Sequence, residues 1–173
     1  MKKQIYLIVF QLFLTGCATN YYVNEDHYTA PKNYEKISVY VTNPEHEAYE
    51  VLKKSQIYDL SENPNGPNKL TLIGFSHYGK CGTGGFIVTA ATFGVLPSGG
   101  DIIGQLAYAM ESGQTTRLYR HKILYSDSFS LWSVPLRPLA YTKKGAQAKA
   151  LSLSTRDICK DYTSCQYVDP YEY

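Results

Sequence analysis

The chain has 173 residues, a mass of 19.5 kDa and a formal net charge of +2. This length suits one domain with a single hydrophobic core. Nucleic-acid binding requires a clustered basic face that neutralises phosphates, and the sequence contains no such Lys/Arg cluster. The composition therefore excludes a typical nucleic-acid binder.

Residues 1–16 have the pattern of a secretory signal peptide. Lys2 and Lys3 give a positive start, and residues 5–14 form an apolar run that is interrupted only by Gln11. A helix that crosses a bilayer needs about 20 apolar residues, whereas the apolar region of a signal peptide needs only about 7 to 15. Cleavage of this segment would remove two of the 17 Lys+Arg and none of the 15 Asp+Glu, which leaves a formally neutral chain.

The sequence Leu14-Thr15-Gly16-Cys17 follows the apolar run and resembles the lipobox of bacterial lipoproteins. The resemblance implies that residues 1–16 are removed, that the Cys17 thiol carries a diacylglycerol, and that its amine carries a further acyl chain such as palmitate. Each buried methylene contributes about 0.8 kcal/mol, so two or three chains give stable attachment to a membrane. Ala18, in place of an Asp that would favour inner-membrane retention, implies the cell outer membrane with the domain facing the periplasm. An ordinary signal peptide with a chance cysteine, or an uncleaved tail, is the alternative.

Residues 17–35 are predicted to form a lipidated, flexible tether. They are polar with interspersed tyrosines, include Pro31, and show neither the period of a strand nor that of a helix. Fully extended, such a tether would hold a domain on the order of 60 Å from the bilayer. The alternative is that its tyrosine rings rest among the lipid headgroups.

A single domain is predicted over residues 36–158, and it begins with a strand and a helix. Residues 37–41 alternate apolar and polar side chains, which is typical of a strand with one buried face. Asn43 then suits a helix N-cap, and the helix is expected to end near Gln56. Its apolar face, at i, i+3, i+4 and i+7, consists of Ala48, Val51, Leu52 and Ser55.

The segment from residue 77 to residue 85 is rich in glycine but does not have the order of a phosphate-binding loop. Such a loop ends its glycine run with Gly-Lys-Ser/Thr at a helix start, whereas here the Gly-Lys pair opens the run. We therefore predict no nucleotide and no other cofactor. Cys81 and His77, oriented by Asp101 or assisted by His121, would form the thiolate and imidazolium pair of a cysteine hydrolase, with Cys81 as the nucleophile. The alternative is that Cys81 is a small buried side chain or a disulfide partner.

Residues 86–96 form an apolar run without a charged side chain. The run is too short to span a bilayer but long enough to insert at its interface. A segment buried under the sheet is the expected structure. A loop that dips into the membrane or docks on a partner is the alternative.

Further strands and a second helix follow. The predicted segments are a central strand at 70–75, a hairpin at 101–110 and 117–125, a short strand at 129–134 and a helix at 143–155. On the second strand of the hairpin, one face is shared by Tyr119, His121, Ile123 and Tyr125.

This order of elements predicts an α+β fold. We expect a two-layer sandwich in which a twisted, mostly antiparallel sheet of about four to five strands carries helices on one face. The order is similar to that of small periplasmic modules in outer-membrane assembly and secretion accessory proteins, including the amino-terminal part of TolB. Residues 159–173 are predicted to be a C-terminal tail.

Three cysteines remain if Cys17 is lipidated. An oxidising periplasm favours pairing, and the short separation of Cys159 and Cys165 favours a disulfide between them over one that involves Cys81. The sequence contains neither C-x-x-C nor H-E-x-x-H, so we predict no metal site.

These features favour a membrane-anchored periplasmic lipoprotein that acts as a non-enzymatic envelope accessory or protein-binding module. Its partners would be the membrane, through the N-terminal lipid, and an envelope protein bound by an exposed sheet edge, the glycine-rich loop or a tyrosine surface. The alternative is the cysteine-dependent hydrolase built on Cys81, acting on envelope polymers. A purely structural lipoprotein is a third possibility.

Overall fold

The computed structural model describes residues 19–28, 36–79, 83–92 and 94–166. In this part of the chain, seven strands form one curled, mixed sheet. The strands are β1 Thr19–Tyr22, β2 Ser38–Val41, β3 Asp59–Ser61, β4 Asn68–Gly79, β5 Ser98–Ser112, β6 Thr115–Phe129 and β7 Arg156–Ile158. The helices in the same ranges are α1 Tyr49–Ser55, α2 Thr83–Ala91, α3 Ser133–Leu136, α4 Lys143–Leu153 and α5 Tyr162–Gln166.

The predicted α+β class is confirmed, but the sheet is larger and more curved than predicted. Its order is β1-β6-β5-β4-β2-β3, and β7 also pairs with β6. Strand β2 is parallel to both of its neighbours, and the other pairings are antiparallel. The strands missed by the prediction, β1, β3 and β7, have only three or four residues each, which is too short for a clear alternating pattern.

The predicted hairpin is confirmed and is the largest feature of the sheet. Strands β5 and β6 each have 15 residues and stay in register from Ser112↔Thr115 at the turn to Ser98↔Phe129 at the other end. Gly113 adopts a positive φ of 61° in the turn, where glycine has no steric penalty. Because every strand twists, strands of this length accumulate enough twist to curl the sheet.

One face of the sheet packs against α1 and α4 and forms the core. All four residues predicted for the apolar face of α1 are buried, and so are Ala146 and Ala150 on α4. However, α1 begins at Tyr49, six residues after the predicted N-cap. Asn43 instead exchanges two hydrogen bonds with the backbone of Leu72 on β4, at 2.8 and 2.9 Å. That pairing fixes the end of β2 against β4.

The prediction of helices on one face only is wrong, because α5 packs on the opposite face. Gln105 is buried and its side-chain amide donates to the Cys165 carbonyl, whereas the next residue, Leu106, lies in the core. Neighbouring residues of a strand point to opposite faces. Cys159 and Cys165 form a disulfide, with their Cα atoms 5.4 Å apart. Cys159 is the first residue of the predicted tail, and Cys165 lies in α5. Residues 159–166 are therefore part of the domain, not of a tail.

The predicted tether also needs correction, because residues 19–28 are folded onto the domain. Strand β1 pairs with β6, and the buried Asn20 side chain donates to the Ser133 carbonyl at 2.8 Å. The Tyr28 hydroxyl donates to the Leu124 carbonyl and accepts from its N–H, each at 2.8 Å. These contacts are long-range, so no local period reveals them. The domain begins two residues after Cys17, and the expected long spacer is absent from the described part of this segment.

Two further expectations are wrong in the neighbouring segments. The strand predicted at 129–134 does not form. Strand β6 ends at Phe129, and a turn held by a hydrogen bond from the Ser130 N–H to Ser133 Oγ leads into α3. The described residues of the apolar run at 86–96 form the end of α2 and the turn after it, and Ile87, Val88, Val95 and Leu96 are exposed, not buried under the sheet.

We expect reduction of the Cys159–Cys165 disulfide to lower the free energy of unfolding by about 2 kcal/mol, because the bond closes a loop of about seven residues in the unfolded chain. Urea unfolding with and without dithiothreitol measures this difference. The Cys81→Ala variant serves as control and should show the same difference as the parent. Equal stability of the oxidised and reduced parent would contradict the expectation.

Candidate binding cleft

The core face of the sheet is open at the hairpin end, where it forms a cleft of about 320 Å³. The cleft lies next to the turn between β5 and β6, at the paired residues Met110↔Arg117 and Ser112↔Thr115. Its lining residues are Ile37, Asn68, Met110, Ser112, Thr115, Arg117, Tyr119 and Arg156. This volume is at the lower end of the range for small-ligand sites.

Strand alternation gives the cleft its charge. Arg117 continues the face of β6 that carries Tyr119 and His121, so the row of side chains predicted to share one face ends in a cation. The nearby carboxylate of Glu111 belongs to the alternate residues, which point to the other face of β5. Among the described residues that line the cleft there are two arginines and no carboxylate.

Arg156 is held in a fixed position at one side of the cleft. Its guanidinium carbon lies 4.7 Å from the centre of the Tyr119 ring, and its Nη1 donates to the Tyr58 hydroxyl at 3.2 Å. Stacking on an aromatic face suits the planar guanidinium. Partial burial acts to lower the pKa of Arg156, but the hydrogen bond to Tyr58 and the neighbouring tyrosines raise the pKa above its ordinary value. The group is a permanent cation.

Arg117 is the second cation of the cleft, and its guanidinium is available to a ligand. It is exposed, and its side chain makes no hydrogen bond or ion pair within the described ranges. Around it, Ser112 Oγ donates to Asn68 Oδ1 at 2.9 Å, and Met110 contributes apolar surface. The cleft thus combines a fixed guanidinium, a free guanidinium, hydroxyl and amide groups, and an apolar floor.

A buried polar network lies behind the cleft and supports Arg156. The Tyr58 and Tyr108 hydroxyls are 2.7 Å apart, and the Tyr108 hydroxyl is 3.1 Å from His121 Nε2. His121 Nδ1 is in turn 2.9 Å from Ser154 Oγ. These side chains come from separate elements of the fold, so sequence reasoning missed the network. Its only signal was a histidine within the apolar row of β6.

His121 is fully enclosed, with 0% of its surface exposed. Burial, and secondly the charge of Arg156, lower the pKa of His121 to about 3. The imidazole is therefore neutral at physiological pH and has no access to a substrate. Its two ring nitrogens lie within hydrogen-bond distance of Tyr108 and Ser154 in the buried network.

Two other residues of the predicted hydrolase site, His77 and Asp101, lie near the opposite end of the hairpin. His77 is exposed on β4, with its ring centre 5.9 Å from that of Phe75. Asp101, near the start of β5, accepts a hydrogen bond from Ser126 at 3.1 Å. Cys81 lies outside the described residues, so the hydrolase stays a prediction. Cys17, the predicted lipid attachment, also lies outside them.

Within the described ranges, no group of three or more His, Cys, Asp or Glu side chains could hold a metal ion. No helix in this part of the chain is both long and apolar enough to cross a membrane.

No protein-family model matches the chain, and comparison with curated proteins gives no match either.

Proposed function

We propose that this protein is a lipid-anchored periplasmic lipoprotein of the outer membrane that binds an acidic segment of an envelope protein without catalysis. The resemblance of residues 14–17 to a lipobox supports the anchor. The observation that carries the binding role is the cleft, in which Arg117 and Arg156 occur without a carboxylate among the lining residues.

The chemistry of the cleft suits carboxylates next to apolar side chains. A guanidinium donates paired hydrogen bonds that match a carboxylate, and such charge-assisted bonds are the stronger kind. Met110, Ile37 and the Tyr119 ring offer an apolar surface for a neighbouring side chain of the ligand. An acidic peptide with interspersed apolar residues has both features.

The lining residues favour binding over catalysis. The hydroxyls of Ser112 and Thr115 are present, but no described lining residue is a histidine or a carboxylate that could act as their base. Ser112 also uses its hydroxyl as a donor to Asn68. The arrangement therefore lacks the nucleophile and base pair of a hydrolase.

The location of the cleft suits a partner that is away from the membrane surface. The cleft is at the turn between β5 and β6, whereas Thr19, two residues after Cys17, pairs with Phe129 at the far end of β6. A strand of 15 residues places these ends on the order of 40 Å apart. The hairpin would thus act as the spacer that the tether was predicted to be.

We expect Arg117→Gln to weaken binding of an acidic peptide by about tenfold, because a hydrogen bond to a charged group contributes roughly 1.5–3 kcal/mol. The probe is a fluorescein-labelled peptide in which glutamate alternates with phenylalanine, and the measurement is fluorescence anisotropy. Arg117 is exposed and unpaired within the described ranges, so its replacement should leave the fold intact.

The matched control is Arg137→Gln, which removes the same charge from an exposed site at the other end of the molecule. It should bind the peptide as the parent does. Equal affinity of the parent and Arg117→Gln, or no binding by the parent at low salt, would contradict the proposed function.

A further inference from the structure

The end of the molecule next to β1 carries a group of exposed apolar side chains. We call this group the apolar end; its members are Ile87, Val88, Val95, Leu96, Leu131, Trp132, Leu136 and Leu139. Their exposed fractions range from 39% for Leu131 to 79% for Leu139, and Trp132 is 57% exposed. Large apolar side chains grouped in this way mark an interaction surface.

Hydrogen bonds join the two segments of the apolar end into one ordered surface. The Trp132 indole N–H donates to the Val95 carbonyl at 3.1 Å, and the Leu131 N–H donates to the Gly94 carbonyl at 2.8 Å. Thr89 Oγ1 donates to the Leu96 carbonyl at 2.9 Å, which holds the turn against α2. The exposed side chains are therefore presented by a fixed backbone.

The apolar end lies beside the start of the domain. Thr19, Phe129 and Ser98 form one row across β1, β6 and β5. The exposed residues Leu96 and Leu131 are each two positions from a member of that row. Cys17 is two residues before Thr19 in the sequence. Acyl chains on Cys17 would enter the bilayer next to the apolar end.

The stretch from residue 128 to residue 156, which contains the second segment of the apolar end, carries basic and no acidic side chains, whereas Asp101 and Asp127 lie two to three residues inside the row on β5 and β6. No acidic residue occurs between Asp127 and Asp157, whereas Arg137, Lys143 and Lys144 lie in this stretch. Arg137 directly follows Leu136 and is exposed. Basic side chains at the rim of an apolar surface favour anionic lipid headgroups.

We propose that the apolar end inserts into the headgroup and acyl boundary of the phospholipid leaflet that holds Cys17. This inference rests on the proposed lipid anchor and names a second contact with the same membrane. The uncharged segments around Trp132 and Val95 lie in the boundary region, with the indole at the interface where such rings are favoured. Insertion at this end directs the hairpin and its cleft away from the membrane.

Trp132 is the only tryptophan of the chain, so its fluorescence reports on this surface alone. The acylated protein is reconstituted in vesicles of phosphatidylethanolamine and phosphatidylglycerol, with part of the lipid brominated near the headgroup end of its acyl chains. We expect a blue shift of Trp132 emission and its quenching by the brominated lipid. Unshifted, unquenched emission from protein that sediments with the vesicles would overturn the proposal.

Variants distinguish insertion from the anchor alone. Leu139→Glu should reduce the quenching of Trp132 while the protein still sediments with vesicles. Ile158→Glu is the matched control, because Ile158 is an aliphatic residue that is 66% exposed on β7, outside the apolar end. It should leave the quenching unchanged. Equal quenching in the parent and Leu139→Glu would contradict the role of the apolar end.

The same assay separates failure of the insertion from failure of the anchor. If the native protein carries no acyl chain, the anchor is wrong, and quenching of the unacylated protein at saturating vesicle concentration still decides the insertion. If Trp132 is unquenched in vesicles but shielded from acrylamide in native membranes, a protein covers the apolar end and the proposal is overturned.

Discussion

Acidification below pH 6.5 is expected to lower the free energy of unfolding steeply, and the titration of His121 is by itself sufficient for this effect. In the unfolded chain His121 titrates near 6.5, whereas burial and the charge of Arg156 lower its folded-state pKa to about 3. Between these values the unfolded chain binds a proton that the folded chain does not bind. Stability is therefore fully present above pH 6.5 and is lost as the pH falls toward 3, by up to about 1.4 kcal/mol per pH unit.

A comparison of variants isolates this contribution. His121→Gln loses stability at neutral pH, because the hydrogen bonds with Tyr108 and Ser154 are disturbed. Its free energy of unfolding should nevertheless fall less steeply with decreasing pH than that of the parent. His77→Gln, at an exposed position of β4, should keep the steep dependence of the parent. Urea unfolding across this pH range measures the slopes, and parallel slopes for the parent and His121→Gln would contradict the account.

Replacement of Cys17 by serine is expected to abolish membrane attachment by lipid. A serine hydroxyl does not accept the thioether-linked diacylglycerol, and lipidation would precede removal of the signal segment. The Cys17→Ser variant should therefore keep residues 1–16 and carry no acyl mass. The ten-residue apolar segment that remains is too short to span a bilayer.

Membrane fractionation and intact mass test this expectation. Cys81→Ser is the matched control, because it removes another thiol and should be processed and acylated as the parent is. A Cys17→Ser protein that is cleaved and held at the membrane like the parent would exclude the lipoprotein assignment.

The sequence was informative where one element determines which residues are buried. The alternation in β2, and the spacing of Ala48 at the start of α1 and of Val51 and Leu52 within it, identified buried faces correctly. The hairpin of β5 and β6 was recognisable because both strands are long and joined by a tight turn. In each case local periodicity and burial agree, which makes the pattern readable.

The missed features depend on residues that are distant in sequence. Strand β1 is held by Asn20 on Ser133 and by Tyr28 on Leu124, contacts that no local pattern reveals. The cleft requires the register of β4, β5 and β6, together with Arg156 from β7. Alternation alone places Arg117 on the face of Tyr119, but Asn68 and Arg156 join it only through the pairing of separate strands, so the site could not be inferred before that pairing was known.

The two proposed surfaces lie at opposite ends of the same hairpin. The apolar end is next to the strand that follows Cys17, and the cleft with Arg117 is at the turn. A rigid pair of strands would keep the cleft at a fixed distance from the bilayer, whereas a flexible tether would not. The proposal therefore predicts a partner that presents its acidic segment at a defined height above the membrane.

The lipid on Cys17 is the central claim, and the intact mass of the native protein extracted from outer membranes with detergent tests it most directly. The account predicts a chain that begins at Cys17, lacks residues 1–16 and carries additional mass from two or three acyl chains. A native protein that begins at another residue, or whose Cys17 carries no acyl group, would contradict it.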